Sequence, residues 1–293
     1  MVSRVERVVL AIGFFDGIHL GHLSLLNKAI ERAKLINCET AVFTFGDDFF
    51  QIRNIPTQLI DLKFEKEQKL KMLGINNIYF ANPTTKFLQM TADDFHNFLL
   101  ATFNLEYVII GSDFRYGKNA QNGANDLANF LSLHNVNVLI EPLLKINNVK
   151  ISSESIRIFI KEGKLEQANK LLYSSYSLYG IVIKGRGEGH KYGVKTANIE
   201  IPCVKILPPP GVYSTKTHIN GQCKKSLTHI GPCPTFNYYK HTIETLITDF
   251  DEDIYGEAIK IDFVKKIREN IMFPNKNELK NQIEMDLKSI INN

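Results

Sequence analysis

Val8-Val9-Leu10-Ala11-Ile12-Gly13-Phe14-Phe15-Asp16-Gly17-Ile18-His19-Leu20-Gly21-His22 decides how the first half of the chain is read. An apolar run without polar alternation is the pattern of a strand buried on both faces, as in a parallel sheet. It breaks at glycine-bearing backbone, and a helix candidate begins near His22. At such a junction the unsatisfied N–H groups and the positive end of the helix dipole converge on one spot, a natural seat for an anion. His19 and His22, three residues apart, can both donate to phosphate oxygens there. The spacing alone equally fits two structural histidines, and a metal reading lacks a third ligand nearby. Although the run follows Arg4 and Arg7, no small-residue cleavage site succeeds it, and it is far shorter than the ~20 residues of a membrane span. A buried first strand in a cytoplasmic protein is the expectation.

Working outward, short apolar runs alternate with segments of helical period as far as Leu172. Further strands are expected over Thr40 to Phe45, Asn77 to Phe80, Tyr107 to Gly111 and Val136 to Ile140. Helices are expected over His22 to Leu35, Leu62 to Leu73, Ala92 to Phe103 and Asn125 to Leu133, with one more from Ser155 to Leu172. That alternation predicts a doubly wound, Rossmann-like parallel sheet. After Tyr173-Ser174-Ser175-Tyr176 the texture changes: Gly180-Ile181-Val182-Ile183, Gly211-Val212-Tyr213-Ser214-Thr215 and His241 to Ile247 are strand-like, separated by Gly/Pro-rich turns and by no crossover helix. A small antiparallel barrel or sandwich closed by a helix from about Lys276 to Ile291 is expected, giving domains 1–174 and 175–293.

Composition sets outer bounds. The 293 residues suit two domains, and 44% hydrophobic with 23% charged residues is globular. Lys+Arg 35 against Asp+Glu 31, a net charge of +4, is too weak a field for a dedicated nucleic-acid binder. No membrane partner is expected either, and self-association is not readable. Cys38, Cys203, Cys223 and Cys233 lack zinc or disulfide spacing and read as free thiols in a reducing cytosol.

Ile151-Ser152-Ser153-Glu154-Ser155-Ile156-Arg157 places serines at the cap of a helix and an Arg on its first turn, where a planar fork suits phosphate oxygens. A well-capped helix with a solvated Arg reads the same segment as well. Taken together with His19-Leu20-Gly21-His22, and with Gly111-Ser112-Asp113-Phe114-Arg115-Tyr116-Gly117, the segment resembles the adenylyltransferase module of the prokaryotic bifunctional riboflavin kinase/FAD synthetase family. The resemblance implies that ATP and FMN meet at the carboxyl ends of the strands and yield FAD and pyrophosphate. By the same resemblance, His19 and His22 grip phosphates, Ser152, Ser153 and Arg157 hold the leaving pyrophosphate, and Asp113, Phe114 and Gly117 line the nucleotide and flavin pocket. Gly13, Phe15, Asp16 and Gly21 join the cofactor-binding set. Two departures stand out: Tyr116 replaces the usual Phe, and Gly46-Asp47-Asp48 replaces a proline-histidine element.

In the second half, Gly185, Gly187 and Gly189 belong to a glycine loop with Arg186, His190 and Lys191, leading into Lys195-Thr196-Ala197-Asn198. Thr196 and Asn198 share one side of an extended chain and offer the hard oxygens that Mg²⁺ prefers, although polar alternation on an exposed strand explains them equally well. Glu244 breaks a β-branched strand with a carboxylate that is either solvent-facing or a general base. Here Lys195-Thr196-Ala197-Asn198, Pro208-Pro209-Pro210-Gly211-Val212-Tyr213, Gly231-Pro232-Cys233-Pro234-Thr235-Phe236, Glu244 with Asp249-Phe250, and Ile254-Tyr255-Gly256 resemble the riboflavin kinase module. The resemblance makes Thr196 and Asn198 Mg–ATP ligands, Glu244 the base for the riboflavin 5′-hydroxyl, Gly185, Gly187, Gly189 and Lys195 parts of the nucleotide loop, and Arg268 and Phe273 neighbours of the flavin. Lys195 stands for the motif proline, His229 for Asn, and Cys233 for Arg. The expected function is phosphorylation of riboflavin to FMN and adenylylation of FMN to FAD with Mg²⁺ and ATP. A monofunctional FAD synthetase with an inactive flavin-binding barrel, and a non-catalytic flavin or nucleotide sensor, are the alternatives.

Overall fold

The computed structural model describes residues 6–146, 149–184, 195–231 and 242–291. The chain divides into two compact units, Met1–Ser153 and Glu154–Asn293. The first is built on β1 (Arg7–Ile12), β2 (Glu39–Phe45), β3 (Asn77–Ala81), β4 (Asn104–Gly111) and, after two short strands, β7 (Asn137–Glu141). They form one parallel sheet in the order β3-β2-β1-β4-β7. The helices of this unit are α1 (Leu20–Leu35), α2 (Phe49–Ile52), α3 (Lys63–Leu73), α4 (Thr85–Leu88), α5 (Ala92–Thr102) and α6 (Ala124–Ser132). Residues Val8 to Ile12 of β1 are all buried, as a strand covered on both faces must be. Its Val8, Leu10 and Ile12 pack with Phe43, Phe95, Leu99, Val108, Ile110 and Leu131. The strand order reverses between β1 and β4, and the loops after those two strands flank the crevice where doubly wound sheets bind ligands.

Two hairpins, β5 (Arg115–Tyr116) with β6 (Asn122–Gly123) and β8 (Lys145–Ile146) with β9 (Val149–Lys150), are too short to show as periodicity in the sequence. One expectation fails. The helix read from Ser155 to Leu172 is two helices, α7 (Ser153–Lys161) and α8 (Leu165–Leu171). Gly163 between them has φ of +72°, which an α-helix cannot hold. Apolar period alone runs through such a break because both helices bury one stripe.

The second unit is a closed antiparallel barrel of β10 (Ser177–Ile183), β11 (Ala197–Glu200), β12 (Gly211–Ile219), β13 (Gln222–Gly231), β14 (Thr242–Ile247) and β15 (Ala258–Arg268), in the order β10-β11-β14-β13-β12-β15. Helix α8 lies on β15, where Asn169 donates to the Phe263 carbonyl at 2.8 Å and accepts from the Tyr176 N–H at 2.8 Å. Inside the barrel a chain of buried hydroxyls links Thr217, Ser226, Thr215, Thr228 and Thr245 at 2.7 to 2.9 Å, so each polar atom is satisfied without water. Helix α9 (Lys276–Ile291) packs Leu287 and Ile290 against the outer face at Val212, Leu227 and Leu246. No helix among the described residues is long and apolar enough to cross a membrane.

Gly180 marks the tightest place in the barrel wall. A Cβ there would lie 2.1 Å from Ile199 Cγ2 and 2.6 Å from the Glu200 carbonyl oxygen. Gly180→Ala is expected to lower the unfolding free energy of this unit by about 1–3 kcal/mol or more, read from denaturant melts, because backbone lies in the way.

Candidate functional site

The loop between β1 and α1 turns on two buried non-glycine residues in left-handed conformation, Phe15 at φ +53° and Ile18 at φ +38°. Such strain persists only where surroundings enforce it. Asp16 supplies the enforcement: its carboxylate, fully buried, accepts from the N–H groups of Ile60 and Asp61 at 2.9 to 3.2 Å, and its carbonyl accepts from Ser153 Oγ at 2.8 Å. Phe15 and Asp16, both expected in the cofactor-binding set, therefore build this loop from within. Gly13 is half-buried beside the Phe15 ring, which a Cβ would meet at 2.9 Å.

His19 caps α1. Its Nδ1 accepts from the His22 backbone N–H at 3.2 Å, so the neutral ring carries its proton on Nε2 and offers a donor there. Gly21 leaves room for this, since a Cβ would lie 3.2 Å from the imidazole. The His19 and His22 rings stack at 3.6 Å and 15°. Burial pushes the His19 imidazole down to about 4, and holds His22 well below the ordinary histidine value with help from the charges of His19 and Lys66. His22 Nδ1 is shielded from solvent and has no hydrogen-bond partner among the described residues, a buried polar atom that needs one.

The other residues expected at this site lie on further loops and on α7. Asp113 lies in reach of the His19 charge and is paired with Lys150 of β9 at 2.8 Å. Phe114 is half-buried and stacks on Tyr116 at 5.6 Å, and Gly117 follows with φ of +74°. The Tyr116 hydroxyl is 2.7 Å from His96 Nε2, which accounts for a tyrosine where a phenylalanine is usual. Ser152 is half-buried and directly precedes α7. Arg157 falls in the second unit, on α7, buried and donating to Glu154 at 3.2 Å. In place of the proline-histidine element, Gly46-Asp47-Asp48 leads into α2, whose Phe49 and Phe50 rings lie 5.0 and 4.9 Å from Phe14. Phe45 joins at 4.4 Å from Phe49, forming a half-buried aromatic face at the carboxyl ends of β1 and β2.

In the barrel, register assembles the second constellation. Asn198 of β11 stands opposite Glu244 of β14, which stands opposite His229 of β13; His229 faces Val212 of β12, and Val212 faces Arg268 of β15. Directly opposed residues share a face with Cβ atoms about 4.5–5.5 Å apart. Ile243, Thr245 and Ile247 point into the barrel, so Glu244 and its row lie on the outer surface, beside Leu246 under α9. Burial lowers the His229 ring, while Glu244 and a hydrogen bond with Asn270 oppose that shift. Arg268 grips the buried Asp286 of α9 through Nε and a terminal nitrogen, both at 2.9 Å, with its guanidinium 5.8 Å from the Phe273 ring. Thr196 is half-buried just ahead of β11, and Lys195 is exposed and paired with Asp251. Gly185, Gly187, Gly189 and Cys233 lie outside the described residues. Sequence reasoning passed over Lys66 and Lys150, which carry no motif of their own.

The histidine pair makes a pH prediction. Unfolded rings titrate near 6.5, whereas the folded rings stay neutral to lower pH. The folded unit binds fewer protons in that window, so its stability is complete above about pH 6.5 and falls as pH drops toward 4. Thermal unfolding from pH 7 to 5 is expected to show this fall, flattened in the His19→Gln/His22→Gln double variant. A level midpoint in the unsubstituted protein would refute the neutral pair.

Comparison with known proteins places both halves of the chain in known families. Residues 2–155 match the FAD synthetase family and residues 172–292 match the riboflavin kinase family. The chain is 34% identical to the bifunctional riboflavin kinase/FMN adenylyltransferase of Listeria monocytogenes, over 95% of this chain and 90% of that protein. It is 33% identical to the one from Bacillus subtilis, over 97% and 92%. A crystal structure of a Streptococcus pneumoniae protein described as a macrolide-efflux protein superposes with a TM-score of 0.91 at 28% identity, covering 99% of this chain and 95% of that one. With a parallel sheet and a closed barrel matched along nearly their whole length, this chain belongs to the bifunctional riboflavin kinase/FMN adenylyltransferase family.

Proposed function

We propose that the barrel phosphorylates riboflavin to FMN and that the parallel-sheet domain adenylylates FMN to FAD, with the functional division at 174/175. The observation that carries this reading is the pairing of Glu244 with Asn198 across β14 and β11, together with the His19–His22 stack at the carboxyl end of β1. In the kinase step Glu244 takes the proton of the riboflavin 5′-hydroxyl, whose oxygen forms a bond to the γ-phosphorus of ATP as the bond to ADP breaks. Thr196 and Asn198 would hold Mg²⁺. Their oxygens suit a hard cation, and since no group of three or more His, Cys, Asp or Glu among the described residues could hold a metal, phosphates and water would complete the coordination. The ion would neutralise charge building on the transferring phosphates. Arg268, anchored by Asp286, and Phe273 would border the flavin.

In the adenylyl step an oxygen of the FMN phosphate attacks the α-phosphorus of ATP, and the bond to pyrophosphate breaks. His19, donating from Nε2, and His22 stabilise the charge that builds there; Ser152, Ser153 and Arg157 hold the departing pyrophosphate. The aromatic face of Phe14, Phe49 and Phe50 is suited in size and polarity to an isoalloxazine ring. Asp113, Phe114 and Gly117 border the nucleotide. The thiols of Cys38 and Cys223, in no disulfide among the described residues, support a cytoplasmic location.

Separate assays of the two half-reactions test the reading. FMN is expected from riboflavin with MgATP, and FAD from FMN with MgATP; failure of the first alone would leave only an FAD synthetase. Glu244→Gln is expected to lower FMN formation by about 100-fold or more while sparing FAD formation from FMN. Equal loss of both would overturn the assignment of Glu244.

A further inference from the structure

We propose that Lys66 is a positioning residue of the adenylyl-transfer site: a buried ammonium that offsets the carbonyl charge at the carboxyl ends of β1 and β2, so that two anionic substrates can meet there. The inference rests on the adenylyltransferase reading of 1–174.

Lys66 lies on the first turn of α3 and is 1% exposed. Its Nζ donates to the carbonyl of Phe14 at 2.8 Å, to the carbonyl of Phe45 at 3.0 Å and to Thr44 Oγ1 at 3.5 Å, and lies 4.4 Å from the centre of the Phe14 ring. Three donors meet three neutral acceptors. Nothing is left over to grip a phosphate directly, so Lys66 works through its field and through the backbone it holds.

The charge balance makes this more than a structural lysine. Burying an ammonium is costly unless it is paired, yet Lys66 makes no ion pair among the described residues. The charged groups facing it are Asp16 in the β1–α1 loop, Asp47 after β2, Asp61 ahead of α3, and His22 on α1. Of these, Asp61 is already taken by Lys69 at 2.7 Å, and Asp16 by the Ile60 and Asp61 N–H groups. A positive charge is thus stored behind the loop that bears His19 and His22, where parallel strands end in outward-facing carbonyls that would otherwise repel a phosphate. In that dry setting its field reaches an anion with little screening. Burial pushes the ammonium down to about 8, so its charge titrates within reach of an assay.

FAD formation from FMN and MgATP should be followed from about pH 6.5 to 9.5 in the unsubstituted protein, Lys66→Arg and Lys66→Met. Riboflavin phosphorylation and thermal unfolding of the same preparations serve as controls. In the unsubstituted protein, kcat/KM for FMN is expected to fall with a midpoint near pH 8. Lys66→Arg should retain activity and lose that alkaline limb, because a guanidinium stays charged. Lys66→Met should lose about 100-fold at neutral pH, mostly in kcat, with riboflavin phosphorylation intact. An alkaline limb unchanged in Lys66→Arg, or Lys66→Met within about threefold of the unsubstituted protein, overturns the proposal. If Lys66→Met does not fold, the Lys66→Arg profile decides. No FAD from the unsubstituted protein would instead bring down the adenylyltransferase reading, and the proposal with it.

Discussion

A parallel sheet ends in a row of backbone carbonyls, and the first unit is organised around satisfying that row beside the histidine pair. The carbonyl of Phe14 accepts from both Thr44 Oγ1 at 2.8 Å and Lys66 Nζ at 2.8 Å; the carbonyl of Phe45 accepts from Lys66 as well. The buried Asp16 carboxylate then ties the same loop to the backbone at Ile60 and Asp61. With both ends held, Phe15 and Ile18 can sit in strained left-handed conformations, and His19 arrives at the head of α1 with its Nδ1 on the first-turn backbone. The placement of the histidine pair follows from how the strand ends are closed.

The barrel solves a different problem. Its interior combines buried side chains such as Tyr213, Ile230 and Phe263 with a connected set of threonine and serine hydroxyls, each satisfying the next, which leaves the strand faces outside as the available surface. Across that outer face, pairing register lines up Asn198, Glu244, His229, Val212 and Arg268 from five strands. Helix α9 covers the neighbouring apolar positions and supplies Asp286 to hold Arg268. Residues up to 70 positions apart thereby share one ledge.

Several departures from the family pattern acquire local reasons. Tyr116 brings a hydroxyl that His96 accommodates, with Phe130 stacked on the imidazole at 3.9 Å. Gly46-Asp47-Asp48 gives way to a phenylalanine cluster rather than to a polar element, and Asp47 accepts from the Lys63 N–H at the start of α3. Lys195, free of a proline's fixed φ, turns to Asp251. His229 replaces an amide with a ring that Asn270 binds beside Glu244.

The residue pattern by itself determined the two architectures, because runs of period two and period 3.6 record which faces are buried, and burial is what both a covered sheet and a barrel require. It also singled out His19 at the cap of α1 and Ser153 at the start of α7 from local backbone signals, whereas Asn198 and Glu244, within β11 and β14, rest on the resemblance to the family. It read through the break at Gly163, because a left-handed residue leaves the apolar stripe of α7 and α8 unchanged on either side. Only the tertiary structure decided that Phe15 and Asp16 are buried supports, that Glu244 lies between Asn198 and His229, and that a lysine on α3 stands behind the histidines. Lys66 and Phe14 are 52 residues apart, and no periodicity along the chain encodes a charge that acquires its meaning from carbonyls contributed by two other elements.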